Sequence, residues 1–483
     1  MTDSDKYSKY EVVVGLEVHA QLSTKSKMYC ADSADFGAPP NTLVSPVSLG
    51  HPGTLPVLNE KAIEYAVKIG IATHCEIRYE NQFARKNYFY ADLPKGYQIT
   101  QDKTPICTNG YLTFEVNGEK KKVGITRIHL EEDAGKSIHD IDPYYTLVDL
   151  NRAGTPLIEI VSQPDIRSGD EAMEYLYELQ KLLRYLDISD ANMEEGNMRC
   201  DANISVRLKG STGFNPRSEV KNMNSARNVK RAIEYEFKRQ VDLLEAGETL
   251  TQETRGYDAV KGITLSQRTK EHAHDYRYFP EPDLPPVYVT EGYVEWVRKK
   301  MPKLASQLKE EYMQVYGLPE YDARLLSEDK HTSAYFNQLL ACTRNYKAAS
   351  NWMLGPVKSY LNEHGISIQQ CTIPPAAIAE LIAMIDEGKT NFSVASASIF
   401  PEVARTGKSP MQVAQELNLL QSSDEGMIRQ LAESVLAKYP EKVTEYRNGK
   451  KGLLGLFVGE VMKLSKGKAD PKLTNRILTD MLQ

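Results

Sequence analysis

Residues 11–22 read Glu-Val-Val-Val-Gly-Leu-Glu-Val-His-Ala-Gln-Leu, and their alternation restricts this stretch to one kind of structure. Val12, Val14, Leu16, Val18, Ala20 and Leu22 are apolar, while Glu17, His19 and Gln21 fall between them. Side chains on a strand repeat every second residue, so Glu17 and His19 project from one face. A carboxylate and an imidazole side by side on a rigid strand can hold a hard cation or handle protons. For one strand alone, the solvated face of an antiparallel sheet is the better reading. The functional reading gains when other strands repeat the pattern.

Several segments do. Residues 123–130 form an apolar-rich run that leads into Glu131-Glu132-Asp133 and Gly135. Residues 198–207 alternate strictly, with Arg199, Asp201, Asn203, Ser205 and Arg207 on one side. Residues 156–161 put Glu159 inside the run Pro-Leu-Ile-Glu-Ile-Val. A buried carboxylate is costly unless a cation, an arginine or a proton compensates it.

The chain has 483 residues, enough for about three domains. Its 41% hydrophobic and 26% charged content is that of a soluble globular protein. The first ten residues lack the apolar core of a signal peptide, and no run is long enough to span a bilayer. Six scattered cysteines without a CxxC pair suit a reducing, cytoplasmic setting. The net charge is −6, yet residues 446–478 carry eight basic and two acidic side chains. A basic end on an acidic chain suggests a local contact with a polyanion.

Strands and a few helices alternate as far as about residue 290. Ser168 and Glu171 form a capping-box signature before the stripe Ala172, Leu176, Leu179, Leu183, Leu186. A second helix follows Ser225, with Val229, Ile233, Phe237, Val241 and Leu244 before Gly247. Both stripes are packing surfaces. The segment 279–286 is proline-rich and extended, and helical periodicity dominates from about residue 292. The expected fold class is α+β: a mixed or antiparallel sheet body over 1–292, a helical domain over 293–408, and a small helical tail domain over 409–483.

Residues 83–98 place Arg85, Lys86 and Lys95 among aromatic residues that include Tyr88. Asp275-Tyr276-Arg277-Tyr278-Phe279-Pro280 has the same character. Such loops either cover a core with tyrosine or offer cations to phosphate and rings to a base or sugar. Next to several carboxylates, the second use fits Mg²⁺ and a nucleotide triphosphate. No P-loop or G-x-G-x-x-G fingerprint is present, so a nucleotide site must be built on a sheet face. H-E-x-x-H and G-x-S-x-G are also missing, and His272-x-His274 lies in a polar loop. In the tail, Leu453, Phe457, Val461 and Leu464 share one helical stripe. Lys450, Lys451, Lys463, Lys466 and Lys468, set among glycines, could follow a nucleic-acid backbone.

Taken in order, these segments closely resemble the B-subunit family of the aspartyl/glutamyl-tRNA amidotransferases. The resemblance rests on Gly15-Leu16-Glu17-Val18-His19, Arg85-Lys86-Asn87-Tyr88-Phe89-Tyr90 and His129-Leu130-Glu131-Glu132-Asp133-Ala134-Gly135-Lys136. It continues through Leu150-Asn151-Arg152, Thr155-Pro156-Leu157-Ile158-Glu159-Ile160, Glu194-Glu195-Gly196, Arg199-Cys200-Asp201-Ala202-Asn203 and Asp275–Asp283 to Ser350-Asn351-Trp352 and residues 448–470. It covers essentially the whole chain.

The resemblance implies an ATP-dependent ligase that converts Glu-tRNA(Gln) or Asp-tRNA(Asn) to the amide through an acyl phosphate. Ammonia would come from an amidase (glutaminase) A subunit, and a small C subunit would complete a heterotrimer. It implies Mg²⁺ on Glu17, His19, Glu132 and Glu159. Catalysis would fall to Glu132, Glu159 and Lys86, and nucleotide contacts to Arg85, Lys86, Asn87, Tyr88 and Asp201. The five tail lysines would bind tRNA. On a regular strand, however, His129 and Glu131 share a face and Glu132 points away. Glu132 as a ligand requires the strand to end or bulge before it, and Glu131 is the alternative. Many family members also carry a C-x-C and C-P-x-C cysteine set near the N-terminus. Here those positions read Cys30, Asp32, Ser45 and Ser48, and one thiolate cannot make a structural zinc site, so no zinc is expected.

Overall fold

The alternation of residues 11–22 is realised as strand β1, Tyr10–Gln21, at the centre of a twelve-stranded sheet in a computed structural model of the chain. The structure describes residues 3–269, 276–420, 425–465 and 469–482. They form two units, Met1–Leu304 and Ala305–Gln483.

The other strands are β2 (Glu76–Ile77), β3 (Ala84–Asn87), β4 (Tyr97–Thr100), β5 (Cys107–Val116) and β6 (Glu119–Glu132). They continue with β7 (Pro156–Ser162), β8 (Met198–Leu208), β9 (Ser218–Met223), β10 (Glu253–Asp258), β11 (Ile263–Thr269) and β12 (Phe279–Pro280). Their order is β11-β10-β9-β8-β1-β7-β6-β4-β3-β12, with β5 paired to β6 and β2 to β5. Among the described residues, only β9 and β10 run parallel; every other pair is antiparallel. Asn117 and Gly118 close the β5–β6 hairpin, both at positive φ. That backbone matches the twist of a two-residue hairpin turn.

Three helices lie on the apolar side: α1 (Glu60–Ala72), α2 (Gly169–Tyr185) and α3 (Ala226–Glu245). Ser168 caps α2 by accepting the Glu171 N–H at 3.1 Å. The return bond of the expected capping box comes one residue early, with Glu171 accepting the Arg167 N–H at 2.8 Å. Ala172, Leu176, Leu179, Leu183 and Leu186 then meet Val12, Val14, Leu16 and Val18 in one core. Each buried leucine contributes about 1.5–3 kcal/mol. That packing holds the sheet from one side and leaves the opposite face, with Glu17 and His19, available for chemistry.

The second unit is helical. Pro356 interrupts a helix through a π-turn at Met353–Val357, and a second π-turn at Ala395–Ile399 precedes Pro401. At its end, Glu425–Lys438, Leu454–Leu464 and Pro471–Leu482 share a core that includes Ile428, Val435, Phe457, Val461 and Leu478. Phe457 and Val461 are buried as their stripe predicts, whereas Leu464 is exposed. Lys450, Lys451 and Lys463 are at the surface. Lys450 pairs with Glu445, and Lys451 lies over the Tyr446 ring. Lys466 and Lys468 lie outside the described residues, as do His272, His274 and Asp275. Among the described residues, no helix is long and apolar enough to cross a membrane.

Candidate active site

Strand register assembles the site. His19 stands opposite Glu159 on β7 and Arg199 on β8, while Glu159 stands opposite His129 on β6. The result is one cross-strand row, His129–Glu159–His19–Arg199, on the face away from the helices. Glu131, two residues beyond His129, joins it. The His19 Nε2 lies 3.2 Å from Glu159 and 3.6 Å from Glu131. The His129 Nε2 lies 3.4 Å from Glu159 and 3.8 Å from Glu131. One ligand atom each from His19, Glu131 and Glu159 falls within 4.8 Å of the others. Two carboxylates and an imidazole this close suit a hard divalent cation.

Electrostatics agree with the geometry. Burial pushes Glu159 upward, but His19, His129 and Arg127 outweigh it and hold the carboxyl well below its ordinary range. Burial pushes His19 downward, and the adjoining Glu159 and Glu131 reverse this, so its imidazole binds a proton more tightly than usual. Positive charge at the centre of the row is therefore strongly favoured. Among the described residues, the buried His129 Nδ1 has no hydrogen-bond partner.

The clustered groups depart from the expected ligand set at two positions: Glu131 stands in place of Glu132, and Glu17 lies outside the cluster. Strand β6 stays regular to its end, with Leu157 opposite Glu131 and Pro156 opposite Glu132. The irregularity in this pairing lies mid-strand, where Val161 faces Arg127 and Ser162 faces Ile125. Alternation thus keeps Glu131 on the site face and turns Glu132 to the other side. There Glu132 forms an ion pair with Lys95 and accepts the Ile99 N–H at 3.0 Å.

Glu17 lies beside the row, opposite Asp201, and accepts a 2.8 Å bond from Asn203. Burial, then Glu159, Asp201 and Glu219, push its carboxyl upward. Asp201 pairs with Lys221, which also reaches Glu219 at 3.0 Å. Asp133 is gripped by Arg199 at 2.7 Å and by Gln21 at 2.7 Å, with Arg152 at 3.6 Å. Burial alone would raise Asp133, but the two arginines keep it ionised.

His19, Lys86, Tyr88, Glu131, Arg199 and Lys221 open onto a cleft of about 650 Å³. Asp201 lines the same cleft. Arg85 and Asn87 are engaged differently. The Arg85 guanidinium forks onto Glu281 at 2.7 and 2.8 Å and reaches Asp283 at 3.1 Å. Asn87 donates to the carbonyls of Tyr276 at 3.2 Å and Arg277 at 2.8 Å. Both residues fasten segment 276–283 onto β3.

Sequence reasoning missed Arg199 and Lys221 as cleft cations. Their signal was present: Arg199 shares a face with Asp201, and Lys221 alternates with Val220 next to Glu219. Cys30, Asp32, Ser45 and Ser48 are gathered in one loop region, where the Ser48 hydroxyl donates to Asp32 at 2.6 Å. Burial raises the Cys30 thiol.

Residues 12–295 match the model of the GatB/GatE catalytic domain, and residues 334–482 that of the GatB domain. Among curated relatives, a protein of Caldicellulosiruptor saccharolyticus is 50% identical over 478 residues, spanning 98% of this chain and 99% of the relative. Those of Thermodesulfovibrio yellowstonii and Persephonella marina are 50% and 49% identical, each spanning 98% of this chain and 100% of the relative. All three are named as the B subunit of an aspartyl/glutamyl-tRNA(Asn/Gln) amidotransferase. The chain belongs to this family of amidotransferase B subunits.

Proposed function

We propose that this protein is the kinase and tRNA-binding subunit of an ATP-dependent amidotransferase acting on Glu-tRNA(Gln), Asp-tRNA(Asn) or both. The observation that carries this reading is the His19–Glu131–Glu159 cluster, whose His19 and Glu131 line a cleft together with Lys86, Arg199 and Lys221. A side-chain carboxylate is a poor acyl donor. Its oxygen attacks the γ-phosphorus of ATP, ADP leaves, and an acyl phosphate forms. Ammonia then attacks the carbonyl carbon and expels phosphate.

The residues divide this work. His19, Glu131 and Glu159 would hold Mg²⁺, with Glu17 beside them; Mg²⁺, when bound, neutralises charge on the phosphate oxygens. Lys86 brings a cation to the cleft from β3, and Arg199 and Lys221 bring theirs from β8 and β9. Asp133 fixes the direction of Arg199, so this charge is oriented before substrate arrives. Ammonia comes from the glutaminase A subunit of a heterotrimer that a small C subunit completes. The helical parts, 293–408 and 409–483, grip the tRNA body, with the tail lysines on its backbone. Six free cysteines fit a cytoplasmic enzyme. The lone Cys30 thiol gives zinc no structural site, and stoichiometric zinc in elemental analysis would contradict this.

Reconstitution tests the assignment. The protein is combined with its partner subunits, glutamine, ATP, MgCl₂ and either misacylated tRNA. Formation of Gln-tRNA or Asn-tRNA is expected. Failure with both substrates would overturn the reading, and phosphate release without tRNA or partners would indicate an independent phosphohydrolase.

A further inference from the structure

Four tyrosines line up beside the cleft. Neighbouring ring centroids in the series Tyr90–Tyr88–Tyr276–Tyr278 are 5.8, 6.1 and 6.0 Å apart, and each pair meets edge to face. The Lys86 Nζ sits over the two inner rings, 5.6 Å from Tyr88 and 5.0 Å from Tyr276. The inner rings are half-buried around that ammonium. The outer ones are open, with Tyr90 62% and Tyr278 40% exposed.

The chain invests heavily in this arrangement. Residues 276–278 are nearly two hundred positions from β3 in sequence, yet Asn87 pins the Tyr276 and Arg277 carbonyls and Arg85 clamps Glu281. Arg277 takes a positive φ of 46°, which is uncommon for a residue other than glycine. Covering a core needs none of this, because the outer rings cover little.

We propose that the tyrosine ladder seats the unpaired nucleotides at the aminoacylated end of the RNA substrate. The inference rests on the tRNA-dependent reading above and deepens it. An acyl carboxylate delivered to the cleft tethers the nucleotides behind it to the adjoining wall. Single-stranded RNA is held through base stacking on aromatic faces and cations on phosphate. The ladder offers open rings at both ends, Lys86 in the middle and an exposed Arg277.

The test uses the assembled heterotrimer with Tyr278→Leu and Tyr90→Leu, and Tyr278→Phe as the ring-retaining control. Both positions are exposed, so folding is not at stake. Binding is measured with intact tRNA and with tRNA trimmed of its unpaired 3′ nucleotides, and KM is measured for ATP. Each leucine variant should weaken intact tRNA about tenfold, as expected for one lost stacking contact. Phenylalanine should restore binding, and the KM for ATP should not move. Trimmed tRNA should bind wild type and the leucine variants alike. Equal losses with intact and trimmed tRNA, unchanged binding of intact tRNA, or release of a partner subunit would overturn the ladder assignment. A wild-type complex that binds no tRNA would instead refute the underlying function.

Discussion

His19 and Glu159 face each other across the β1–β7 register, with the imidazole Nε2 3.2 Å from the carboxylate. Glu131 approaches the same nitrogen at 3.6 Å. A cation bound here would be shared by three strands, so its affinity depends on the sheet remaining in register.

Glu131 and Glu132 are adjacent in sequence but face opposite sides of β6. Glu131→Gln should raise the Mg²⁺ concentration needed for half-maximal amidation at least tenfold, the order of effect expected when a ligating charge is removed. Glu132→Gln should leave the Mg²⁺ requirement near wild type while releasing Lys95. A Mg²⁺ titration of both variants separates them; the reverse ranking would restore Glu132 as the ligand.

Arg85 and Lys86 are also neighbours with different tasks. Arg85→Lys loses the fork onto Glu281, which is fully buried as a side chain, and should destabilise the first unit by about 2 kcal/mol in urea unfolding. Lys86→Met should barely change stability but should lower amidation at least a hundredfold, because the cleft loses a cation. A variant pair showing the opposite pattern would contradict the division.

Glu236 on α3 is fully buried and ion-paired to Arg239 at 2.8 Å and Arg255 at 3.2 Å. Burial raises its carboxyl, and the Arg239 contact leads the interactions that bring it below its ordinary 4.5. Its folded pKa is depressed, so its stabilisation is complete above about pH 4.5 and is lost as pH falls through the lower folded value. Glu236→Gln should cost about 3 kcal/mol at pH 7, and this difference should shrink toward acid pH. Melting curves of both proteins from pH 3 to 7 measure it; a pH-independent difference would contradict the pairing.

Much of this was legible because strand alternation is a strict rule. It identified β1 and β8, placed Glu17 with His19 and Arg199 with Asp201, and marked Glu159 as a costly carboxylate needing a partner. The same rule turned Glu132, the ligand the resemblance implied, away from His129 and kept Glu131 as the second choice; the regular end of β6 follows the alternation. Arg85 was not legible in this way. Nothing local distinguishes an arginine aimed at phosphate from one aimed at Glu281, because the partner arrives from 196 residues away. His129 was similarly hidden, since its place in the row depends on which strand lies beside β6. The capping serines, by contrast, are local chemistry, and Ser168 and Ser225 start their helices as read.

The central claim is that the His19–Glu131–Glu159 cluster performs phosphoryl transfer, while tRNA affinity comes from residues outside that cluster. Glu159→Gln in the reconstituted enzyme tests it most directly, with amidation and tRNA affinity measured on the same preparation. Amidation should be abolished and the tRNA dissociation constant should stay within about threefold of wild type, less than one lost stacking contact would cost. Amidation that persists, or tRNA affinity that collapses with it, would contradict the account.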